Sequence, residues 1–413
     1  MFGWRGRLLR VNLTSGVIQK ESLEPPTARA YIGGRGLGVH LHAKEVPASV
    51  DPLGAGNHLI FATGPLTGTL APNGGRYAVI TRTRPAGALA AVSISGKWGP
   101  ELKFAGFDAI IFEGSSERPV YLWINDGKAE LRNAEHASGK TVTETTGLLL
   151  KETDPRAVVS CIGPAGEKKE GCAVIVSDGF SAAGKDGAGA VMGSKNLKAV
   201  AVRGTQGFRL ADYRRFLMSA TGLRSSMKSK SIAMTGARPH DSVLIADTIV
   251  WDSVQQGTQA ARTRGCFGCA TSFSGFTADD GKGFFPLEAG IPPSELSERL
   301  KEYRSSVDMG LDFAAAKAEG KEKGSRSLIE RGPCMAAGYA IFPRVPAADG
   351  QDETLSGLMA VLDSAGLCPF LCGAIGMDEI AELLTAATGV GFSQQDVVQA
   401  AQRISRLLSG AAE

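Results

Sequence analysis

Three glycine-rich stretches decide how this chain is read. They are Asn73-Gly74-Gly75-Arg76-Tyr77, Gly99-Pro100-Glu101-Leu102-Lys103-Phe104-Ala105-Gly106-Phe107-Asp108, and Gly184-Lys185-Asp186-Gly187-Ala188-Gly189-Ala190-Val191-Met192-Gly193-Ser194-Lys195-Asn196. Each packs glycines around a cation: Arg76, Lys103 or Lys185. Glycine lets backbone N–H groups approach a ligand closely and tolerates positive φ. Successive exposed N–H groups form anion-binding concavities, and a nearby Lys or Arg adds charge. Three such loops in one half predict a large ligand with several negative charges. The competing reading is a set of tight turns on a strand-rich domain.

Outward from these loops, the first half reads as strands. Arg7 to Leu13 and Val17 to Ser22 flank Thr14-Ser15-Gly16, a hairpin signal. Further strands are expected at 58–62, 76–83, 88–94, 108–113, 119–125, 128–133, 157–162, 172–177 and 197–203. Two helices interrupt them. One covers 27–45 and is broken by Gly33-Gly34-Arg35-Gly36; the other covers 141–152 and opens with Thr141, Thr143 and Glu144. After residue 208 the period turns helical, with helices expected at 210–228, from Pro292 onward, and at 354–366, 377–388 and 394–409. The change of period divides the chain into 1–206 and 207–413. No internal repeat is evident.

At 413 residues the chain buries a large core. Its 43% apolar and 21% charged content is that of a globular protein in water. A net charge of +3 argues against nucleic acid or an anionic membrane as partner. Apolar runs fall short of a bilayer span, and Met1-Phe2-Gly3-Trp4-Arg5-Gly6-Arg7 has no signal-peptide core, so the expected location is cytoplasmic. There are seven cysteines, two of them in Cys266-Phe267-Gly268-Cys269, which points to metal or redox chemistry before disulfides. The other reading of that pair is inert structural thiols. The five histidines lack metal-site spacing and read as surface or structural groups, and no nucleotide-binding motif is complete.

The glycine-rich blocks, with Trp4-Arg5-Gly6-Arg7 and Gly64-Pro65-Leu66-Thr67-Gly68, closely resemble the tungsten-containing aldehyde:ferredoxin oxidoreductase family. The likeness runs from Phe2 to Gly204 and returns at Leu362-Asp363-Ser364-Ala365-Gly366-Leu367-Cys368. The resemblance implies an α+β fold, with a two-sheet, β-rich, pterin-cradling domain followed by shortened α-helical domains. It also implies oxidation of an aldehyde-type substrate at tungsten or molybdenum held by two pterins, with magnesium, beside a [4Fe–4S] cluster. Ferredoxin or another electron-transfer protein would take the electrons. A homo-oligomer or a partner subunit would cover the shortened face. The alternative is a non-catalytic or electron-transfer subunit that keeps the fold.

Carried over residue by residue, the resemblance assigns Arg76, Ser93, Ser95, Gly96, Lys103, Ala183, Lys185, Leu311, Asp312, Asp363 and Leu367 to the pterin group. It assigns Cys266, Cys269 and Cys368 to the cluster. Phe273 stands where the family has another cysteine, and Cys372 is the candidate substitute, one helical turn beyond Cys368. The partner of the Asp363 motif falls on Val307-Asp308-Met309-Gly310-Leu311-Asp312, where Val307 replaces the family's first Asp. Ser93 replaces a family Asn and Ser95 a Gly. The family's catalytic His has no counterpart, because no His follows His240; Glu288 lies near where the family's Glu would fall.

Overall fold

The computed structural model describes residues 1–84, 87–179, 181–183, 187–235, 260–263, 267–268, 274–277, 285–286, 308–310, 351–369, 371 and 375–409. Two six-stranded mixed sheets form the first half. The first contains β1 (Arg7–Asn12), β2 (Ile18–Ser22), β3 (Leu59–Thr63), β4 (Tyr77–Thr83), β5 (Ala88–Ile94) and β6 (Ala109–Glu113), in the order β2-β1-β6-β3-β4-β5. The second contains β7 (Val120–Asn125), β8 (Lys128–Asn133), β9 (Val158–Cys161), β10 (Ile175–Ser177), β11 (Ser181–Ala183) and β12 (Leu197–Arg203), in the order β11-β10-β9-β12-β7-β8.

These orders are the same order written twice. In each half an antiparallel hairpin (β1–β2, β7–β8) sits at one edge, and its first strand runs parallel to the half's last strand (β6, β12). The remaining pairings are antiparallel in both halves. The helices repeat as well. α2 (Gly34–Glu45) and α4 (Val142–Glu152) follow the hairpins, while α3 (Trp98–Phe104) and α6 (Ala188–Ser194) precede the last strands. Even the turn after the third strand repeats, as Gly64-Pro65 and Gly163-Pro164. This internal duplication corrects the sequence reading. A buried strand demands apolar side chains but no particular ones, so Leu-Ile-Phe-Ala-Thr and Val-Val-Ser-Cys occupy equivalent places.

The two sheets pack face to face. Alternation along each strand sends Leu9, Phe61, Tyr77 and Phe112 to one side, where they meet Leu122, Ile124, Val200 and Val202 of the second sheet. The intervening residues Ile60, Ile80 and Ile111 point the other way, toward Leu37 of α2 and Leu362 of α8 (Gln351–Ala365). The same cluster takes in Leu384 of α9 (Met377–Thr388) and Val397 of α10 (Gln394–Ser409). The C-terminal helices therefore complete the core of the first sheet. α4 covers the outer face of the second sheet through Val142 and Leu149. It begins at a capping box, in which Thr141 Oγ1 accepts from Glu144 N and Glu144 accepts from Thr141 N.

α1 (Pro25–Tyr31), α5 (Pro164–Glu167) and α7 (Tyr213–Thr235) complete the helices used below. Among the described residues, no helix is long and apolar enough to cross a membrane.

Candidate functional site

Asn73 has φ +59° and stands at the junction of three distant segments. Its N–H donates to the carbonyl of Gly268 (2.9 Å), and its carbonyl accepts from the N–H of Cys368 (3.1 Å). One residue thus joins the Cys266-x-x-Cys269 turn to Cys368, about a hundred residues away in the chain. Two glycines make this approach possible. A Cβ on Gly75 would stand 2.7 Å from Gly96 O and 3.0 Å from Phe267 O. Gly268 itself has φ +67°. Phe267 N donates in turn to Gly96 O at 3.2 Å. The structure thus brings together four of the predicted elements: the Asn-Gly-Gly-Arg loop, Gly96, the described centre of the C-x-x-C turn, and Cys368. Cys368 is buried. Cys266, Cys269 and Cys372 lie outside the described residues.

Arg76 follows in the same loop, 2% exposed, with its side chain against Asp363 (Nη1 to Oδ1, 3.5 Å). A second guanidinium, that of Arg35, holds the other oxygen of Asp363 at 2.9 Å and also donates to Ala91 O at 3.1 Å. Arg35 was not among the expected site residues. Its signal was visible in Gly33-Gly34-Arg35-Gly36, a cation among glycines, read only as a break in a helix. The break is real: α1 ends at Tyr31 and α2 starts at Gly34.

Asp363 is presented by the C-terminus of α8. Gly366 is left-handed (φ +87°), and Leu367 N donates to Leu362 O at 2.8 Å, which makes this end a Schellman cap. The Asp-x-x-Gly-Leu pattern has this geometry as its cause. The cap then docks on the first sheet: Arg76 N donates to Gly366 O (3.2 Å) and Leu66 N to Ala365 O (2.9 Å). Gly64 lies so close that a Cβ there would be 2.1 Å from the Ala365 carbonyl carbon.

The second half repeats this docking. Val174, placed before β10 as Arg76 is before β4, donates its N–H to Gly310 O at 2.9 Å. Gly310 is left-handed (φ +76°), and a Cβ on Gly163 would be 2.3 Å from Met309 O. The charges do not repeat. Val174 stands where Arg76 would, and Val307 falls at the register of Asp363. Asp308, one residue on, accepts from Thr143 N at the start of α4 (2.8 Å). Leu311, Asp312, Lys185 and Glu288 lie outside the described residues, and Ala183 closes β11.

Lys103 does not join the Arg76 cluster. Its ammonium is fully buried, donates to Asp108 (2.7 Å) and to Gly3 O (2.8 Å), and is pulled below the usual lysine value by that burial. Asp108 also accepts from the N–H groups of Arg5, Gly6 and Arg7. Lys103 therefore ties the N-terminal turn to β6. The stretch around it is the helix α3 and not a loop.

The histidines have structural partners. His42 is buried against Asn57 (3.1 Å), and its pKa is lowered to about 4 by desolvation. His58 faces Glu45, His136 faces Glu152, and His40 stacks on Tyr31. His240 lies outside the described residues. Glu45, His58 and Glu113 cluster as metal ligands would, but the guanidinium of Arg10 already pairs with both carboxylates.

The fit of a pterin group can be tested on the first half. Ser93 Oγ is buried with no hydrogen-bond partner among the described residues, and so is Asp363 Oδ1 apart from its long ion pair with Arg76. A carboxylate acceptor, two guanidiniums and a free hydroxyl match ring N–H and phosphate groups. The residues of the first half fit. Val174 in the second half offers no such chemistry.

Two family models match the chain. Aldehyde ferredoxin oxidoreductase, N-terminal domain, matches residues 8–204, and domains 2 and 3 of the same family match residues 297–408. The tungsten-containing aldehyde ferredoxin oxidoreductase of Pyrococcus abyssi is 44% identical over 250 residues, which is 60% of this chain and 41% of that protein. The same enzyme of Pyrococcus horikoshii is 43% identical over equal shares. The matched stretch thus spans well under two thirds of these relatives. The WOR-like subunit of an aliphatic sulfonate oxidoreductase of Pyrococcus furiosus is 36% identical over 50% of this chain and 35% of that one. Among solved structures, the active-site complex BamBC of benzoyl coenzyme A reductase with 1,5-dienoyl-CoA aligns with a TM-score of 0.79. It covers 98% of this chain and 88% of that one at 22% identity, a likeness of fold.

Proposed function

The chain belongs to the aldehyde ferredoxin oxidoreductase family, and on that footing we propose that it is an oxidoreductase that works through a metallopterin beside an iron–sulfur centre. The observation that carries the reading is the Asn73 junction, which hydrogen-bonds the C-x-x-C turn to Cys368 three residues before Arg76 meets Asp363. Cys266, Cys269, Cys368 and Cys372 would supply the thiolates of a [4Fe–4S] cluster. Arg35, Arg76, Ser93 and Asp363 would hold a tungsten or molybdenum pterin group over the first sheet, with magnesium at its phosphates. Bound there, the group supplies two-electron redox chemistry toward an aldehyde-type substrate.

The chain's own residues would do the rest. Asp363, acceptor only when ionised, orients the pterin edge. Arg76, three residues from the Asn73 junction and against Asp363, would oppose the negative charge of thiolates and phosphates. The buried environment excludes water and strengthens both effects. Electrons would leave to a ferredoxin-type carrier.

A second reading has its own support. Val174 and Val307 leave one of the two anchor positions without charge, and the similar WOR-like protein is described as a subunit. In that reading the chain acts inside a complex, and a partner completes the site.

Anaerobic purification from cells supplied with tungstate and molybdate tests the proposal. The expected result is tungsten or molybdenum together with acid-released pterin, with Arg76→Ala losing both. Protein free of metal and pterin overturns it.

A further inference from the structure

A cavity of about 360 Å³ opens beside the N-terminal turn, lined by Met1, Phe2, Trp4, Arg5, Arg7, Gly207, Phe208 and Arg209. Three of these are arginines and none is an acid. The guanidiniums of Arg7 and Arg209 make no ion pair among the described residues. That of Arg5 spends two of its nitrogens on Gly207 O (2.8 Å) and Gln206 (2.7 Å). The nearby acid, Asp108, is fully buried and occupied by Lys103. Burial first, then the neighbouring Arg7, pulls Arg5 below its usual value, so a carboxylate entering the cavity would relieve a standing repulsion. Exposed Phe2 (44%) adds an apolar rim.

A line of aromatic rings connects this cavity to the cysteine turn. Phe208 in its wall stacks near Phe104 with ring centroids 6.0 Å apart, and Phe104 meets Phe267 edge-on at 6.1 Å. Phe267 lies between Cys266 and Cys269. The Lys103 ammonium lies 5.8 Å from the Phe208 ring centre and helps fix that ring. An acidic surface seated on the arginines would thus stand two ring contacts from the C-x-x-C turn.

We propose that the Arg5–Arg7–Arg209 cavity is the docking site for an acidic one-electron carrier protein, whose surface carboxylates enter it. This rests on the iron–sulfur reading of the cysteines. Small interfaces are usual for redox encounters, and charge complementarity sets their rate and salt dependence.

The test measures binding of a recombinant ferredoxin of strongly negative net charge to the intact chain, by calorimetry at low and at physiological ionic strength. Arg7→Glu with Arg209→Glu is expected to weaken binding at low ionic strength about tenfold or more and to remove its salt dependence. Arg118→Glu, at an exposed side chain in the bend before β7, is expected to leave binding within about twofold, since a charge outside the docking patch contributes little. Melting curves of each variant confirm folding. Unchanged affinity in the double variant overturns the proposal, and so does equal weakening by Arg118→Glu. With the chain first reduced by dithionite and freed of excess reductant, so that each electron gained by oxidised ferredoxin is lost by the chain, Phe208→Leu is expected to slow ferredoxin reduction several-fold with binding retained; an unchanged rate removes the ring route. Iron content is measured on the same samples. An iron-free chain that still binds through Arg7 and Arg209 keeps the docking surface and sinks the electron-transfer reading.

Discussion

The first and second sheets are one topology used twice, and their difference lies in what each places at the same point. Both close a Gly-Pro turn on a left-handed glycine, with backbone contacts so tight that a Cβ would be 2.1 Å or 2.3 Å from the opposing chain. In the first half that joint carries Arg76 and Asp363; in the second it carries Val174 and, by register, Val307. The scaffold is thus set by backbone geometry, while charge is a local addition that one half keeps and the other lacks. The repeated fold supports a two-site cradle, and the unequal chemistry supports unequal holding.

The largest expected effect concerns turnover. With one charged anchor and no His after His240, the metal-loaded chain alone is expected to oxidise aldehydes about 10²–10⁴-fold more slowly than a site with a positioned acid–base group. Aldehyde-dependent dye reduction measures this. Fast turnover by the lone chain would show that the missing groups are dispensable, whereas activity restored by a second subunit would place them there.

Stability separates the halves next. Asp363→Ala leaves Arg76 buried without its carboxylate and is expected to cost about 3–5 kcal/mol in denaturant unfolding. Arg76→Val with Asp363→Val, which gives the first joint the character of the second, is expected to recover most of that loss. Failure to recover would mean that the charges help to hold the fold and are not only a binding device.

Acid sensitivity is expected to reside in the first half as well. His42 is buried neutral, with a pKa near 4 against an ordinary 6.5. The unfolded chain takes up the proton first, so stability falls as pH drops from 6.5 toward 4. The loss is complete below that, at about 3 kcal/mol. Melting curves across this range should flatten in His42→Leu; an unchanged slope would assign the sensitivity elsewhere.

The smallest effect checks the duplication itself. Gly64→Ala and Gly163→Ala are each expected to destabilise by about 1–3 kcal/mol through the same overpacking. A cost in one half and none in the other would break the equivalence of the two joints.

The site was legible in sequence where backbone demanded a residue type. Gly75 and Gly366 had to be glycine for the chain to pass, so Asn-Gly-Gly-Arg and Asp-x-x-Gly-Leu stood out. Arg35 was missed because its glycines had a simpler use, ending one helix and starting another. Lys103 was misplaced because a cation among glycines looks the same whether it meets a ligand or Asp108 five residues away; the spacing to that acid was the neglected clue. The duplication was hidden because strands preserve apolarity and direction, not identity. The thiol set was legible only as a pattern, and the link between its halves came from Asn73, which no cysteine spacing reveals.

That link is the centre of the account, and iron analysis of anaerobically purified protein tests it most directly. The account predicts iron with a charge-transfer absorbance in the native chain, lost in Cys368→Ser and kept in Cys172→Ser, a buried thiol of the second half. An iron-free native chain, or iron that survives Cys368→Ser unchanged, would contradict it.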